Sequence, residues 1–188
     1  MEGKIIVLSA PSGTGKSTII SDLIKNKDLN LHFSISATSR KPRGEEQHEK
    51  DYYFLTEEEF DTKIKNGEFI EWEEVYSGTK YGTLESEVKR IIEKGDNLIM
   101  DIDVKGALNI KKKYRDKALL IFITPPSLKE LENRLRKRAT DSEETIRRRL
   151  EKAEFEIGFK DKFDTFVIND NLGKAIEETS SLIRRFLK

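Results

Sequence analysis

The chain has 188 residues, enough for one domain with its own core. Charged residues make up 37% of it, yet 35 Lys+Arg balance 35 Asp+Glu, so no net field draws it to nucleic acid or to a membrane surface. It has no cysteine and only two histidines, His32 and His48, which excludes disulfides, thiolate chemistry and a cysteine-based zinc site.

The opening Met1-Glu2-Gly3-Lys4 leads into Ile5-Ile6-Val7-Leu8, too short an apolar run for a signal peptide or a membrane span. Position 2 is not the glycine that myristoylation needs, so a cytoplasmic location is expected, with neither nucleic acid nor membrane as partner. The same apolar run ends in a glycine-rich turn, which predicts a strand buried on both faces of a parallel sheet, followed by a helix from Lys16 to about Lys25. Over residues 32 to 38 the pattern changes. Phe33, Ile35 and Ala37 alternate with His32, Ser34, Ser36 and Thr38, which predicts a strand with one wet face in a part of the molecule unlike the core.

Further on, Thr56 to Glu59 precedes Phe60 and Ile64, and Ser127 to Glu130 precedes Leu131 and Leu135; both match the capping box that starts a helix. Leu98 to Ile102 and Leu119 to Ile123 read as buried strands, the second stopped by Pro125-Pro126, and Phe166-Val167-Ile168 reads as another. A last helix, from about Gly173 to Leu187, carries Ala175, Ile176, Leu182, Ile183 and Phe186 for packing. Strands alternating with helices predict an open α/β sheet.

Ala10-Pro11-Ser12-Gly13-Thr14-Gly15-Lys16-Ser17-Thr18 lies between a predicted strand and a predicted helix, the context of a phosphate-binding P-loop. The glycines let successive N–H groups turn toward a phosphate, and the helix N-terminus adds partial positive charge. Lys16 reaches the β and γ oxygens, and Ser17 holds Mg²⁺ through its hydroxyl. Ser12 to Thr18 are thus the candidate ATP-binding residues. The strict pattern wants glycine where this chain has Ala10. A GTPase of this class would also need a guanine-reading motif such as Asn-Lys-x-Asp late in the chain, and none is present. A small-molecule kinase is the leading class.

Four segments then bear on the second substrate: Ser36-Ala37-Thr38-Ser39-Arg40-Lys41-Pro42-Arg43, Lys50-Asp51-Tyr52-Tyr53-Phe54, Glu68-Phe69-Ile70-Glu71-Trp72 and Tyr81-Gly82-Thr83. With the P-loop, Asp101-Ile102-Asp103 and the arginine-rich segment after Ser127, they make the chain resemble the guanylate kinase family nearly end to end. Arg40, Arg43, Tyr52 and Tyr81 form a donor set suited to a phosphate monoester, and the resemblance assigns them to the phosphate of GMP. Guanine offers adjacent donors at N1 and N2 that one carboxylate accepts together, whereas adenine has an acceptor at N1; Glu71 is therefore the expected base reader. Ser36 would donate to the guanine O6, and Thr83 stands near the base in the family.

Phosphoryl transfer asks for cations around the γ-phosphate. Arg134 and Arg138 fall four apart on one helix face, away from Leu128, Leu131 and Leu135, which are expected to pack inward. The family's lid arginines correspond to Arg134, Arg138 and Arg149, with Thr140-Asp141-Ser142-Glu143-Glu144 as a mobile tip whose closure excludes water. Asp101 and Asp103 are expected two apart on one strand face, Asp101 resembling the acidic residue near Mg²⁺, through a water, and near GMP. Asn169 corresponds to the position beside the adenine.

The resemblance implies an α/β fold with a P-loop core whose parallel sheet is flanked by helices, an inserted mixed α/β GMP-binding subdomain and a helical lid. One domain over 1–188 would divide into a core of about 1–33, 86–125 and 165–188, an insertion of about 34–85 and a lid of about 126–164. It implies transfer of the γ-phosphoryl group of MgATP to GMP, and to dGMP, giving ADP and GDP in purine nucleotide metabolism. Guanylate-kinase-like interaction modules share the fold but usually lack a working P-loop; this chain keeps Lys16 and Ser17.

Overall fold

The computed structural model describes residues 2–74, 78–137 and 142–188. In chain order the elements are β1 (Ile5–Ser9), α1 (Lys16–Lys25), β2 (Leu31–Phe33), β3 (Ala37–Thr38), β4 (Tyr53–Phe54), α2 (Glu57–Lys65), β5 (Phe69–Glu74), β6 (Lys80–Leu84), α3 (Glu85–Glu93), β7 (Asn97–Asp101), α4 (Val104–Tyr114), β8 (Ala118–Thr124), α5 (Leu128–Lys137), α6 (Glu143–Ile157), β9 (Thr165–Ile168) and α7 (Leu172–Leu187). They form two sheets. One has five strands in the order β2-β7-β1-β8-β9, the other four in the order β4-β3-β6-β5.

The chain divides into two compact units, one of Met1–Gly3 and His32–Leu98, the other of Lys4–Leu31 and Ile99–Lys188. In the second unit β8 runs parallel to β1, with Ile5 opposite Ala118 and Ser9 opposite Phe122, and parallel to β9, with Ile121 opposite Thr165. All five residues of β1 are buried, as expected for a strand covered on both faces. Ile6, Leu8, Ile121 and Ile123 pack with Ile19, Ile20 and Leu23 of α1 and with Ala175 and Ile183 of α7. At about 25 cal/mol per Å² of apolar surface removed from water, such a cluster is the main source of stability.

In the first unit β3 pairs parallel to β4 and antiparallel to β6, and β6 pairs antiparallel to β5. Phe60 of α2 is buried there with Ala37 and Leu84 and stacks on Phe69 at 4.4 Å between ring centroids. The capping box of α2 is complete: the Thr56 hydroxyl accepts from the Glu59 N–H, and the Glu59 carboxylate accepts from the Thr56 N–H.

Four expectations need correction. Residues 32 to 38 are not one strand: the chain leaves β2 after Phe33, runs through 34–36 outside any strand and enters β3, so Phe33 is 46% exposed while the hydroxyl-bearing Thr38 is buried. Tertiary pairing overrode the alternation there. Of Phe166, Val167 and Ile168, only Val167 is buried, because β9 is the last strand of its sheet and α7 packs on the Val167 side. Leu131 and Leu135 of α5 do pack inward, against Ile146 and Ala153 of α6, but Leu128 in the first turn is exposed. The Ser127 hydroxyl caps α5 by accepting from the Glu130 N–H, while the Glu130 carboxylate accepts from Arg134 Nε one turn on.

Candidate active site

The P-loop wraps the end of β1 and the start of α1. Gly13 and Gly15 have φ of 93° and 96°, the left-handed region open to glycine at little cost. Both also sit against neighbours: a Cβ on Gly13 would come 2.8 Å from Leu135 Cδ2, and one on Gly15 would come 2.6 Å from Asn169 Nδ2. Gly15 caps α1 without a side chain, so the N–H groups of the first turn face open space where an anion can accept from them.

That space is a cleft of about 380 Å³, lined by the P-loop from Ala10 to Thr18 except Thr14, by Asp101 and Asp103, and by Arg149 of α6. The Lys16 ammonium pairs with the Asp101 carboxylate in it. Asp101 ends β7 as expected, but Asp103 has left the strand: it is the N-cap of α4, accepting from the Gly106 N–H at 2.7 Å. The helix demands a cap where strand geometry was expected, so the two carboxylates differ in duty. Lys152 and Glu156 of α6 line the same cleft. Sequence reasoning missed them, although with Arg149 they fall at helical spacing on one face.

Arg134 lies elsewhere. It borders a second recess, with Gly13, Thr14, Gly15, Thr18 and Asn169. Its Nη1 donates to the Asn169 carbonyl at 2.8 Å and its Nε to Glu130 at 3.0 Å. Asn169 is buried and its side-chain N–H donates to the Thr14 carbonyl at 2.7 Å, so the amide expected beside a base braces the P-loop from behind. The two lid arginines that the structure describes thus fall in separate recesses, Arg149 at the phosphate cleft and Arg134 at this one. Arg138, Thr140 and Asp141 lie outside the described residues; Ser142 caps α6 by accepting from the Thr145 N–H, and Glu143 and Glu144 fill its first turn.

Of the acceptor candidates, Glu71, Tyr81 and Thr83 lie on strands of the four-stranded sheet, and Arg40 and Tyr52 contact Tyr81 there. Tyr81 and Thr83 share a face of β6, two residues apart, and Glu71 of β5 stands opposite Thr83. The Thr83 hydroxyl is buried and donates to Glu71 Oε1 at 2.7 Å, which fixes the carboxylate. Close approach of β5 needs Gly82: a Cβ there would meet the Glu71 carbonyl at 2.7 Å. Arg40 Nε donates to the Tyr81 hydroxyl at 3.0 Å, the Arg40 guanidinium lies 5.0 Å from the Tyr52 ring centroid, and the Tyr52 and Tyr81 rings meet edge-on at 5.9 Å. Ser36 lies in the stretch 34–36, its carbonyl held by the Tyr53 N–H at 2.9 Å.

Glu46 is the partner that sequence reasoning missed. Its carboxylate takes Arg40 Nη1 at 2.6 Å and Nη2 at 2.9 Å in a fork, and the Arg43 N–H at 2.8 Å. Hydrogen bonds from Arg40 and then from the Arg43 backbone hold its carboxyl down at about 2. Arg40 Nη1 also donates to the Lys41 carbonyl. Of the five N–H groups of a guanidinium, only one on Nη2 is left open among the described residues. The Arg43 side chain is exposed. The signal was present as Arg-x-x-x-x-x-Glu around a proline turn, but charge pairs at such spacing are common on surfaces.

Comparison with known proteins joins these two sets. The guanylate kinase family matches the chain over residues 2–186. A guanylate kinase from Porphyromonas gingivalis is 56% identical over 184 residues, covering 98% of both chains, and one from Thermotoga maritima is 45% identical over 184 residues, covering 98% of this chain and 87% of that protein. The crystal structure of guanylate kinase from Anaplasma phagocytophilum aligns with 99% of this chain and 87% of its own, at 32% identity and a TM-score of 0.74. A P-loop with its lysine, a paired Glu71 and Thr83, and an arginine and two tyrosines assembled on the smaller sheet therefore have one common explanation: the chain belongs to the guanylate kinase family.

Proposed function

We propose that this chain performs the family's reaction, transfer of the γ-phosphoryl group of ATP to GMP giving ADP and GDP, with its residues in the following roles. The N–H groups of the P-loop and the first turn of α1 take the donor phosphates. Lys16, now paired with Asp101, exchanges that carboxylate for the β and γ oxygens. Arg149 adds positive charge as the γ-phosphoryl group leaves, since it borders the same cleft. Arg134 acts on the other side of the loop, through Asn169, where the recess fits the nucleoside end of ATP. Closure of the α5–α6 segment, with Arg138, excludes water and limits wasteful hydrolysis.

Mg²⁺ fits this site as a companion of ATP rather than a resident ion. Among the described residues no group of three or more His, Cys, Asp and Glu could hold a metal, but the Ser17 hydroxyl and the Asp101 carboxylate share the phosphate cleft, the sparse oxygen set that suits Mg²⁺ completed by phosphates and water. When bound it would neutralise charge on the β and γ phosphates.

The acceptor is itself a phosphate, with a second pKa near 6, so at neutral pH it is already a nucleophile and needs no general base. An oxygen of GMP forms the new bond to the γ phosphorus as the bond to the ADP oxygen breaks, in line. Arg40 offers the Nη2 N–H that is open among the described residues while Glu46 holds the fork in place, and Arg43, Tyr52 and Tyr81 complete the grip. Glu71, fixed by Thr83, accepts from guanine N1 and N2, and Ser36 donates to O6. Among the described residues no helix is long and apolar enough to cross a membrane.

The observation that carries the choice of base is the Thr83-fixed Glu71 carboxylate, because a pre-oriented acceptor pair rewards guanine and repels the adenine N1. A coupled assay of ADP formation with MgATP against GMP, AMP, UMP, CMP and dTMP tests it, with Glu71→Ala alongside. GMP alone should support rapid turnover, and the variant should lose that preference by about 10²-fold or more. Equal preference in the variant would remove Glu71 from base recognition.

A further inference from the structure

Helix α3 carries a carboxylate that phosphoryl transfer does not use. Glu87 is 1% exposed and shares its helix face with the buried Val88 and Ile91. Its Oε1 accepts from the Ile35 N–H at 3.2 Å and from Arg90 Nη2 at 2.9 Å; its Oε2 accepts from the Tyr53 hydroxyl at 2.8 Å and from Arg90 Nε at 2.8 Å. Burial works to raise the Glu87 carboxyl, yet the bonds from Arg90, Tyr53 and Ile35 prevail and hold it below the usual range. The Tyr53 phenol is pushed up to about 12 by burial and by this bond, so it stays a donor.

A buried ion pair is poor value as a source of stability, since desolvation offsets most of the attraction and a well-packed apolar side chain often does as well. What such a group specifies is geometry. Ile35 and Ser36 belong to the stretch 34–36, which lies in no strand, and among the described residues two bonds hold it: the Ile35 N–H to Glu87, and the Ser36 carbonyl from the N–H of Tyr53, the first residue of β4. The Tyr53 side chain returns to the same Glu87, so one carboxylate closes a ring of contacts around Ser36.

We propose that Glu87 is a positioning residue for guanine recognition, fixing the backbone around Ser36 so that its hydroxyl meets the oxygen at C6 of the base. The inference rests on the assignment of Ser36 made under Proposed function. Glutamine at 87 would keep the volume but present an amide N–H₂ to donors, and phenylalanine at 53 would remove one donor without touching the backbone bond.

The test is steady-state kinetics on the whole chain with MgATP and GMP, using Glu87→Gln, Tyr53→Phe, Ser36→Ala and the two double variants with Ser36→Ala. Glu87→Gln and Tyr53→Phe should each raise KM for GMP about fivefold, with kcat and KM for ATP within about twofold. That loss should vanish when the Ser36 hydroxyl is already absent, because the carboxylate acts through it. Unchanged KM for GMP in both single variants, or an equal loss with and without the Ser36 hydroxyl, overturns the proposal. If Glu87→Gln does not fold, the Tyr53→Phe cycle decides alone. A Ser36→Ala variant with normal KM for GMP would remove the Ser36 assignment and this inference together; a Ser36→Ala defect with additive doubles would remove only the role of Glu87.

Discussion

Asn169 offers the sharpest single perturbation, because one side chain joins the end of the last strand to the back of the P-loop. Its amide donates to the Thr14 carbonyl at 2.7 Å in surroundings where Asn169 is 4% and Thr14 1% exposed. Asn169→Ala leaves that carbonyl buried without its donor, which costs about 1–3 kcal/mol. For a chain of this length Tm should fall by about 4–8 °C for a loss of about 2 kcal/mol. Asn169→Asp keeps the shape but sets a carboxylate oxygen against the carbonyl, so at neutral pH it should be less stable than the alanine variant. Protonated, that oxygen would donate, so the folded state would raise the new carboxyl above its unfolded value of about 3.9. By linkage the stability of Asn169→Asp is then highest below that value and falls as pH rises through the raised folded pKa. Differential scanning calorimetry from pH 4 to 8 reads this directly, and KM for ATP should rise about tenfold in both variants as the loop loses its brace. Equal Tm for the parent and both variants, or an Asn169→Asp profile parallel to that of Asn169→Ala at every pH, would refute the reasoning.

The separate recesses of Arg149 and Arg134 predict distinct kinetic signatures. Arg149→Ala should lower kcat by about 10²-fold or more with KM for ATP little changed, whereas Arg134→Ala should mainly raise KM for ATP; matching losses in kcat would show that both act on the transferring group. The Glu46 carboxyl, held at about 2 against an ordinary 4.5, predicts that the Arg40–Glu46 fork is intact above about pH 4.5 and opens as pH falls toward 2, because a depressed folded pKa gives stability that is lost on protonation. A carbon-13 titration of the glutamate carboxylates should show one resonance with its midpoint near 2 that moves to the ordinary range in Arg40→Met; its absence would mean the fork does not persist in solution.

Local chemistry made much of this chain legible in sequence. A continuous apolar run, a glycine-rich turn and a helix signal are contiguous, and the forces that shape them are local, so β1 and α1 fall where the pattern puts them and helix α2 begins at the Thr56 capping box. The family resemblance was equally plain, since its motifs are short contiguous strings. What only the tertiary structure decided are contacts between residues far apart in the chain. Asn169 reaches Thr14 across 155 positions, Glu87 reaches Ile35 across 52, and neither pairing leaves a mark in local spacing. Residues 32 to 38 show the limit most directly: their alternation is a good strand pattern, but strand pairing is set by what the rest of the chain offers, and here two different sheets claim its two ends. Sequence determines which side chains can do the chemistry; burial and long-range pairing decide which of them are spent holding the others in place.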